Sequence, residues 1–497
     1  MTTKTKLPPF TSFRSKEFEA YILQKLAPLE KNLSDYLQFW LLESGDEHSS
    51  YPSQGLLLTP FDFLDSTKTV MLSPERVLNA LRVRQYVLEV FNHPDRLEEL
   101  RRLQKTAFKP PQKIDSPVME SAREEGLSLS ISDLGVQVVG SEKERVSRAD
   151  RFRFGPFGKI GKQARSLLVG SAMPDVYGSV SALSTMAQLH CLVGVPRNSV
   201  FHDVKRQVDL VKNTFQALEQ SEVLIGRTDK KWLLNQWKRN LMGVVETEKD
   251  KALIRAKALY ESGVRAFRVY SPEPGVSVLE TVVRLRKELG DEIEIFAGQV
   301  VDVQQAKRLE AAGADGLYVG IGGGGRCITG VRSGSVIDWP QLVWDMRGEI
   351  GIPVIVEGGA SDHIATTLSL GASGIGVSRI AGGGTIESPG GMRYCVDSRG
   401  KMYKPYGGEA SARTKYLDKH MLPFGLPSFV EGETRKAELS YLQYSEPTLA
   451  YNMYSLTEDI ILSYVFRAIK DLTEYHAISP SPLRRKTAVG EAMQNTH

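Results

Sequence analysis

The chain has 497 residues, too many for one average domain, so two folding units are expected. Its hydrophobic fraction of 41% and charged fraction of 25% are those of a soluble globular protein. The net charge of +4, spread over 63 basic and 59 acidic residues, gives no basis for a nucleic-acid partner.

Cys191, Cys327 and Cys395 have no metal-ligand spacing and make no disulfide framework, which fits a reducing compartment. The opening stretch, MTTKTKLPPFTSF, lacks the apolar core of a signal peptide. No apolar run approaches the roughly 20 residues of a membrane span. A cytoplasmic protein with no membrane partner and no metal centre is the expectation.

Residues 1–115 read as an all-helical N-terminal domain for packing or oligomerisation. Phe18, Ile22 and Leu26 share a helical face, as do Leu33, Leu37, Trp40 and Leu41. Ser73-Pro74 is a helix start, with Ser as the cap and Pro where no N–H is needed. Val77, Leu81, Leu88 and Phe91 line the helix that follows, and Asp95–Lys105 reads as a solvated helix face. Lys109-Pro110-Pro111 breaks the pattern, and residues 116–130 read as a linker.

From about residue 130 the pattern becomes strand–helix alternation. Short apolar runs recur at Leu167–Gly170, Leu192–Val195, Ala266–Tyr270, Ile293–Ala297, Gly316–Gly320, Val354–Val356 and Gly374–Val377. Gly313-Ala314-Asp315-Gly316 and Gly371-Ala372-Ser373-Gly374 each place a helix-ending glycine before a buried strand. Repeated βα units over 131–497 predict an α/β fold, a (β/α)8 TIM barrel behind the helical region, with a doubly wound sheet as runner-up. In a barrel the chemistry lies at the C-terminal ends of the strands.

Two such ends stand out. GIGGGGRCITG, residues 320–330, follows a strand directly. Its glycines leave backbone N–H groups bare for a phosphate or a base, and Arg326 beside Cys327 favours the thiolate, the attacking form of a nucleophile. IPVIVEGG, residues 352–359, and Gly376-Val377-Ser378 would end strands 7 and 8, the usual phosphate site of a barrel. Glu357 is then either an acceptor for ribose hydroxyls or an acid on a surface turn.

These segments resemble the IMP dehydrogenase/GMP reductase family. Its catalytic loop ends Gly-Ser-x-Cys-Ile/Thr-Thr, against Gly-Gly-Arg-Cys-Ile-Thr here. Similar too are IPVIVEGGASDHIATTLSLGASGIGVS, VGSEKERVSRAD (139–150), GSAMPD (170–175), LVGVPRN (192–198), AGQV (297–300), KMYKPYGGEAS (401–411) and VEGETRK (430–436). The likeness runs over roughly residues 130–497, with the motifs in order.

The resemblance implies covalent chemistry on a purine nucleotide of the IMP or GMP class. Cys327 would be the nucleophile at C2, with Thr329 beside the reacting centre and Glu409 as a flap base. Gly325, Glu357, Gly359, Ser378 and Tyr406 would hold the ribose phosphate, Ser171, Met173, Gly358 and Gly407 would also bind the substrate, and Glu431 would face the purine. NAD or NADP would lie against Tyr270, Ser271, Gly320 and Gly322, with a monovalent cation such as K+ at the Cys327 loop. A homo-oligomer, a tetramer in this family, is also implied.

The chain departs from the family in four places. Tyr270 stands where the strand usually carries an aspartate for the nicotinamide ribose. Gly325 replaces a phosphate-binding serine. Residues 407–430 lack an adjacent Arg-Tyr pair, Arg413 and Tyr416 being wrongly spaced, and the regulatory pair of cystathionine-synthase-type modules is missing. An IMP dehydrogenase-like oxidoreductase is therefore the leading expectation, with a GMP reductase as alternative. A relative using Cys327 with another acceptor and a non-catalytic nucleotide-binding protein are further alternatives.

Overall fold

The computed structural model describes residues 6–41, 56–62, 66–138, 146–271, 277–320, 328–335, 337–438 and 448–486. Eight parallel strands close into a barrel in chain order: Leu168–Gly170, Val193–Val195, Leu241–Val245, Ala266–Tyr270, Glu294–Gly298, Gly316–Val319, Val354–Val356 and Gly374–Val377. Seven match the apolar runs read from the sequence. The remaining one, Leu241–Val245, is buried at every position but begins straight after a basic helix end and so gave no separate signal.

Alternation along the strands divides the side chains between two cores. Val169, Leu192, Met242, Ala266, Phe296, Tyr318 and Ile355 fill the barrel interior. Their neighbours, among them Leu168, Val193, Leu241, Phe267, Ile295 and Leu317, face outward and join the apolar cluster under the helices. An antiparallel hairpin, Phe157–Ile160 with Gln163–Ser166, closes the N-terminal end. From it Arg165 donates Nη1 and Nη2 to Glu294 at 2.8 and 2.6 Å, a pair shielded from solvent.

The N-terminal region is helical, with helices Lys16–Glu30, Leu33–Leu41, Pro74–Phe91 and Pro94–Gln104. The third begins at Pro74, and Ser73 Oγ accepts from Arg76 N–H. Three details correct the sequence reading. Ser66–Met71 is a strand, paired antiparallel with Arg393–Asp397, because its Thr-Lys-Thr-Val run completes an edge that no local pattern advertises. Arg96, read as part of a solvated face, is sealed among the rings of Phe91, Phe152 and Phe157, at 4.8, 4.5 and 5.2 Å. The stretch 116–130 holds helix Pro117–Glu124, whose Arg123 pairs with Asp345.

Phe18, Ile22, Leu26, Leu88 and Phe91 share one apolar cluster with the outer barrel face. Helix Pro74–Phe91 lies against helix Leu449–Val465, and Trp237 Nε1 donates to Asn92 Oδ1 at 3.1 Å. Beyond the eighth barrel strand, Arg393–Asp397, Met402–Gly407 and Thr434–Glu438 complete an antiparallel sheet with Ser66–Met71 at its edge. Among the described residues no helix is long and apolar enough to cross a membrane.

Candidate functional site

A cavity of about 520 Å³ opens at the C-terminal ends of the barrel strands. Its floor is set by strand ends. Ser171 and Met173 follow the first strand, Arg268 and Tyr270 end the fourth, Gly320 ends the sixth, Glu357 to Gly359 end the seventh, and Gly376 to Ile380 end the eighth. Its roof is the segment Tyr406 to Asp418, with Glu431 and Gly432 closing one side.

At the floor Glu357 reaches Arg268 across the barrel mouth. Arg268 donates Nη1 and Nη2 to the carboxylate at 3.0 and 2.7 Å, in parallel. The guanidinium also lies on the rings of Tyr318 and Tyr270, at 4.1 and 4.3 Å. Burial works against its charge, but Glu357, the two tyrosines and Glu409 outweigh burial and hold it above the ordinary arginine range. Two glycines make room for Glu357: a Cβ on Gly376 would meet its Cγ at 2.6 Å, and one on Gly320 would meet its carbonyl oxygen at 2.2 Å.

Opposite stands the phosphate-type corner. Gly358 and Gly359 both have positive φ, +71° and +89°, and they turn the chain sharply after the seventh strand. Ser378 and Arg379 end the eighth strand beside them, and Tyr406 comes from the strand Met402–Gly407. Exposed backbone turns with a hydroxyl and a guanidinium suit an oxyanion. Ser171 Oγ, buried in the wall, has no hydrogen-bond partner among the described residues and is available to such a ligand.

The third wall joins the residues that follow Cys327 to the later Glu-Gly turn. Thr329 Oγ1 donates to Glu431 Oε2 at 2.8 Å, and Ile328 N–H donates to the Glu431 carbonyl at 2.8 Å. Thr329 opens a short helix, so its hydroxyl is set by backbone already tied to Glu431. Cys327, Gly322 and Gly325 lie outside the described residues, as does the loop expected to hold a monovalent cation. Among the described residues no three His, Cys, Asp or Glu side chains form a metal-binding group.

The roof carries two unusual acids. Burial pushes the Glu409 carboxyl up, with Arg268 pulling it back down and Glu357 raising it further. Burial pushes Asp418 up to about 7, opposed by the Ser199 N–H, Lys415 and Arg197. Arg197 and Asn198, from the loop after the second strand, line the cavity on this side.

The structure therefore gathers into one cavity Ser171, Met173, Tyr270, Gly320, Thr329, Glu357, Gly358, Gly359, Ser378, Tyr406, Glu409 and Glu431. Two expected residues stand behind its wall. Gly407 donates its N–H to Asp175 Oδ2 at 2.8 Å, and Ser271 N–H is held by the Gly298 carbonyl at 3.0 Å. The sequence reading did not single out Arg268, Arg379, Lys415 or Asp418. Arg268 sat inside a segment quoted only for its Tyr270, and a strand-end arginine opposite a strand-end glutamate was the available signal.

Of the groups the resemblance implies, a nicotinamide cofactor fits the ends of the fourth and fifth strands in part. Gln299, 3% exposed, donates its N–H to the Ser271 carbonyl at 3.0 Å, and its Nε2 is buried without a partner among the described residues. That is a donor suited to a carboxamide or a ribose oxygen. The carboxylate expected at position 270 is replaced by a tyrosine whose ring rests on Arg268.

A family model described as the IMP dehydrogenase / GMP reductase domain matches residues 163–430. The inosine-5'-monophosphate dehydrogenase of Mycobacterium leprae (strain TN) is 33% identical over 181 residues, covering 35% of this chain and 33% of that protein. Inosine-5'-monophosphate dehydrogenase 1 of Arabidopsis thaliana is 35% identical over 190 residues, 36% of each chain. That of Nitrosopumilus maritimus (strain SCM1) is 34% identical over 179 residues, 35% of this chain and 37% of the other. These matches span about a third of the length of the curated relatives. With a closed barrel, the strand-end cavity and a domain match over more than half of its length, the chain belongs to the IMP dehydrogenase/GMP reductase family.

Proposed function

We propose that the chain is a purine nucleotide oxidoreductase of the IMP dehydrogenase type, acting through Cys327. The observation that carries this reading is the bond from Thr329 to Glu431, with Ile328 tied to the same residue, at the exit of the cysteine loop. It seats the residues next to Cys327 against the acid assigned to the purine edge. The nucleotide's phosphate would lie at Gly358, Gly359, Ser378 and Arg379, and its ribose beside Glu357.

Cys327 would add to C2 of the purine as a thiolate, forming the C–S bond. A nicotinamide cofactor, when bound near Tyr270, Ser271 and Gln299, supplies the acceptor for the departing hydride. Water attack at C2 then forms the C–O bond, breaks the C–S bond and returns the thiolate. Glu409, whose burial favours the protonated form, is the flap group to accept and hold the water's proton.

A second reading is GMP reduction, favoured by the same observation on Glu409: a buried flap acid able to give a proton suits loss of ammonia. Purified protein is tested with IMP plus NAD and with GMP plus NADPH, following absorbance of the reduced nicotinamide. A rise in the first mixture that Cys327→Ala abolishes establishes the dehydrogenase, and a fall in the second establishes the reductase. Silence in both, with IMP bound, sinks both redox readings. Family likeness also points to a homo-oligomer, for which sedimentation analysis is the check.

A further inference from the structure

Residues 56–62 and strand Ser66–Met71 have no role in the nucleotide reading, yet they contact the cavity roof and the sheet beneath it. Thr59 donates its N–H and its hydroxyl to Asp62 Oδ2 at 2.7 and 2.8 Å, which fixes the direction of the Asp62 carboxylate. That carboxylate accepts from Arg413 Nη1 at 2.5 Å. The same guanidinium donates Nε and Nη2 to Asp175 at 2.9 and 3.0 Å. Asp175 in turn accepts the Gly407 N–H. The Arg413 and Asp62 side chains are each 2% exposed and that of Asp175 is 6%.

Arg413 lies in helix Ala412–Leu417, whose cap is Ser411. Gly408, Glu409 and Ala410 precede this helix, Lys415 is in it and Asp418 follows it, and all of these line the cavity. Phe61 adds an edge-on contact to Tyr416 at 6.2 Å, and Leu56 packs with Cys395 and Tyr403. Strand Ser66–Met71 anchors the same stretch to the sheet that carries the flap base. Two carboxylates from distant segments therefore share one buried guanidinium, and removing either leaves charge poorly matched.

We propose that residues 56–62, with strand Ser66–Met71, form a built-in brace for the cavity roof, in which Asp62 is a positioning residue that fixes segment 408–418 through Arg413. The brace also ties up Arg413, one of the two residues closest to a water-activating pair, since its guanidinium is held by Asp62 and Asp175. This inference concerns the free protein and does not depend on which nucleotide reaction is catalysed.

The test is amide hydrogen exchange on the full chain carrying Asp62→Asn, with Asp62→Glu as the conservative variant. In Asp62→Asn, amides of 408–418 should exchange about tenfold faster, the size expected for one charge-assisted hydrogen bond, while the barrel strands keep their protection. Asp62→Glu should restore most of the protection, and IMP affinity should fall in Asp62→Asn and recover in Asp62→Glu. Unchanged exchange in 408–418 overturns the brace. So does an equal rise across the barrel strands, which would mean a general packing role. If the unmodified protein binds no IMP, the nucleotide reading fails while the exchange result still decides the brace.

Discussion

Arg268 and Glu357 illustrate how one changed side chain alters a site. A carboxylate held bidentately by a buried guanidinium has its charge matched before any ligand arrives, and only its remaining lone pairs are open to ribose hydroxyls. Arg268→Met leaves Glu357 in a partly buried place without its partner. It should destabilise the protein by about 3 kcal/mol, read from urea unfolding, with much of the loss regained in the double variant with Glu357→Gln. If Arg268→Met alone is neutral, the pair is not coupled. Asp418 offers a pH signature. Its folded pKa of about 7 lies above the ordinary aspartate value of 3.8, so the folded state holds the proton more tightly. The stability this lends is full below the unfolded pKa and is lost as pH rises through about 7. Asp418→Asn should therefore flatten the fall in melting temperature between those limits, and parallel curves for the two proteins would refute the shift.

Among the elements, the two-residue-deep strand ends decide the site. Gly320 has φ +126° and no room for a Cβ, since Glu357 backbone lies 2.2 Å from that position. Gly320→Ala should cost about 1–3 kcal/mol and weaken nucleotide binding together, because Glu357 must move to relieve the contact. Calorimetric titration with IMP beside a thermal melt measures both. The helix–glycine–strand repeats were readable because Gly313 and Gly371 do end their helices with positive φ, +95° and +124°. Strand Ser66–Met71 was not readable: its partner, Arg393–Asp397, lies more than 300 residues away, and an edge strand of polar residues carries no alternation.

For the molecule as a whole, the barrel is closed at one end by charge and at its flank by aromatic packing. Arg165 and Glu294 are sealed from solvent, 0% and 1% exposed. Arg165→Met should lower stability by about 3–5 kcal/mol, as an unpaired buried carboxylate must then be protonated or solvated. A cooperative unfolding midpoint that does not move would contradict this. Helices Lys16–Glu30 and Pro74–Phe91 cover an apolar face to which Phe152 and Tyr454 contribute. A chain beginning near residue 116 should expose that face and aggregate, seen as dye binding and light scattering, whereas a monodisperse folded product would show the region to be separable.

Local signals in the sequence determined the barrel, because short buried parallel strands are apolar throughout and their helices end in glycine. They also pointed to the turn after the seventh strand, where Gly358 and Gly359 both take positive φ, whereas the cysteine loop lies outside the described residues. Only the tertiary structure decided what the charged residues do. Arg96, Arg268 and Arg413 look alike in the chain, and each is buried on a different partner: an aromatic nest, Glu357, and the pair Asp62 and Asp175. A guanidinium's partner is set by Coulomb attraction and burial across the fold, over separations of up to 351 residues, and no local pattern records it.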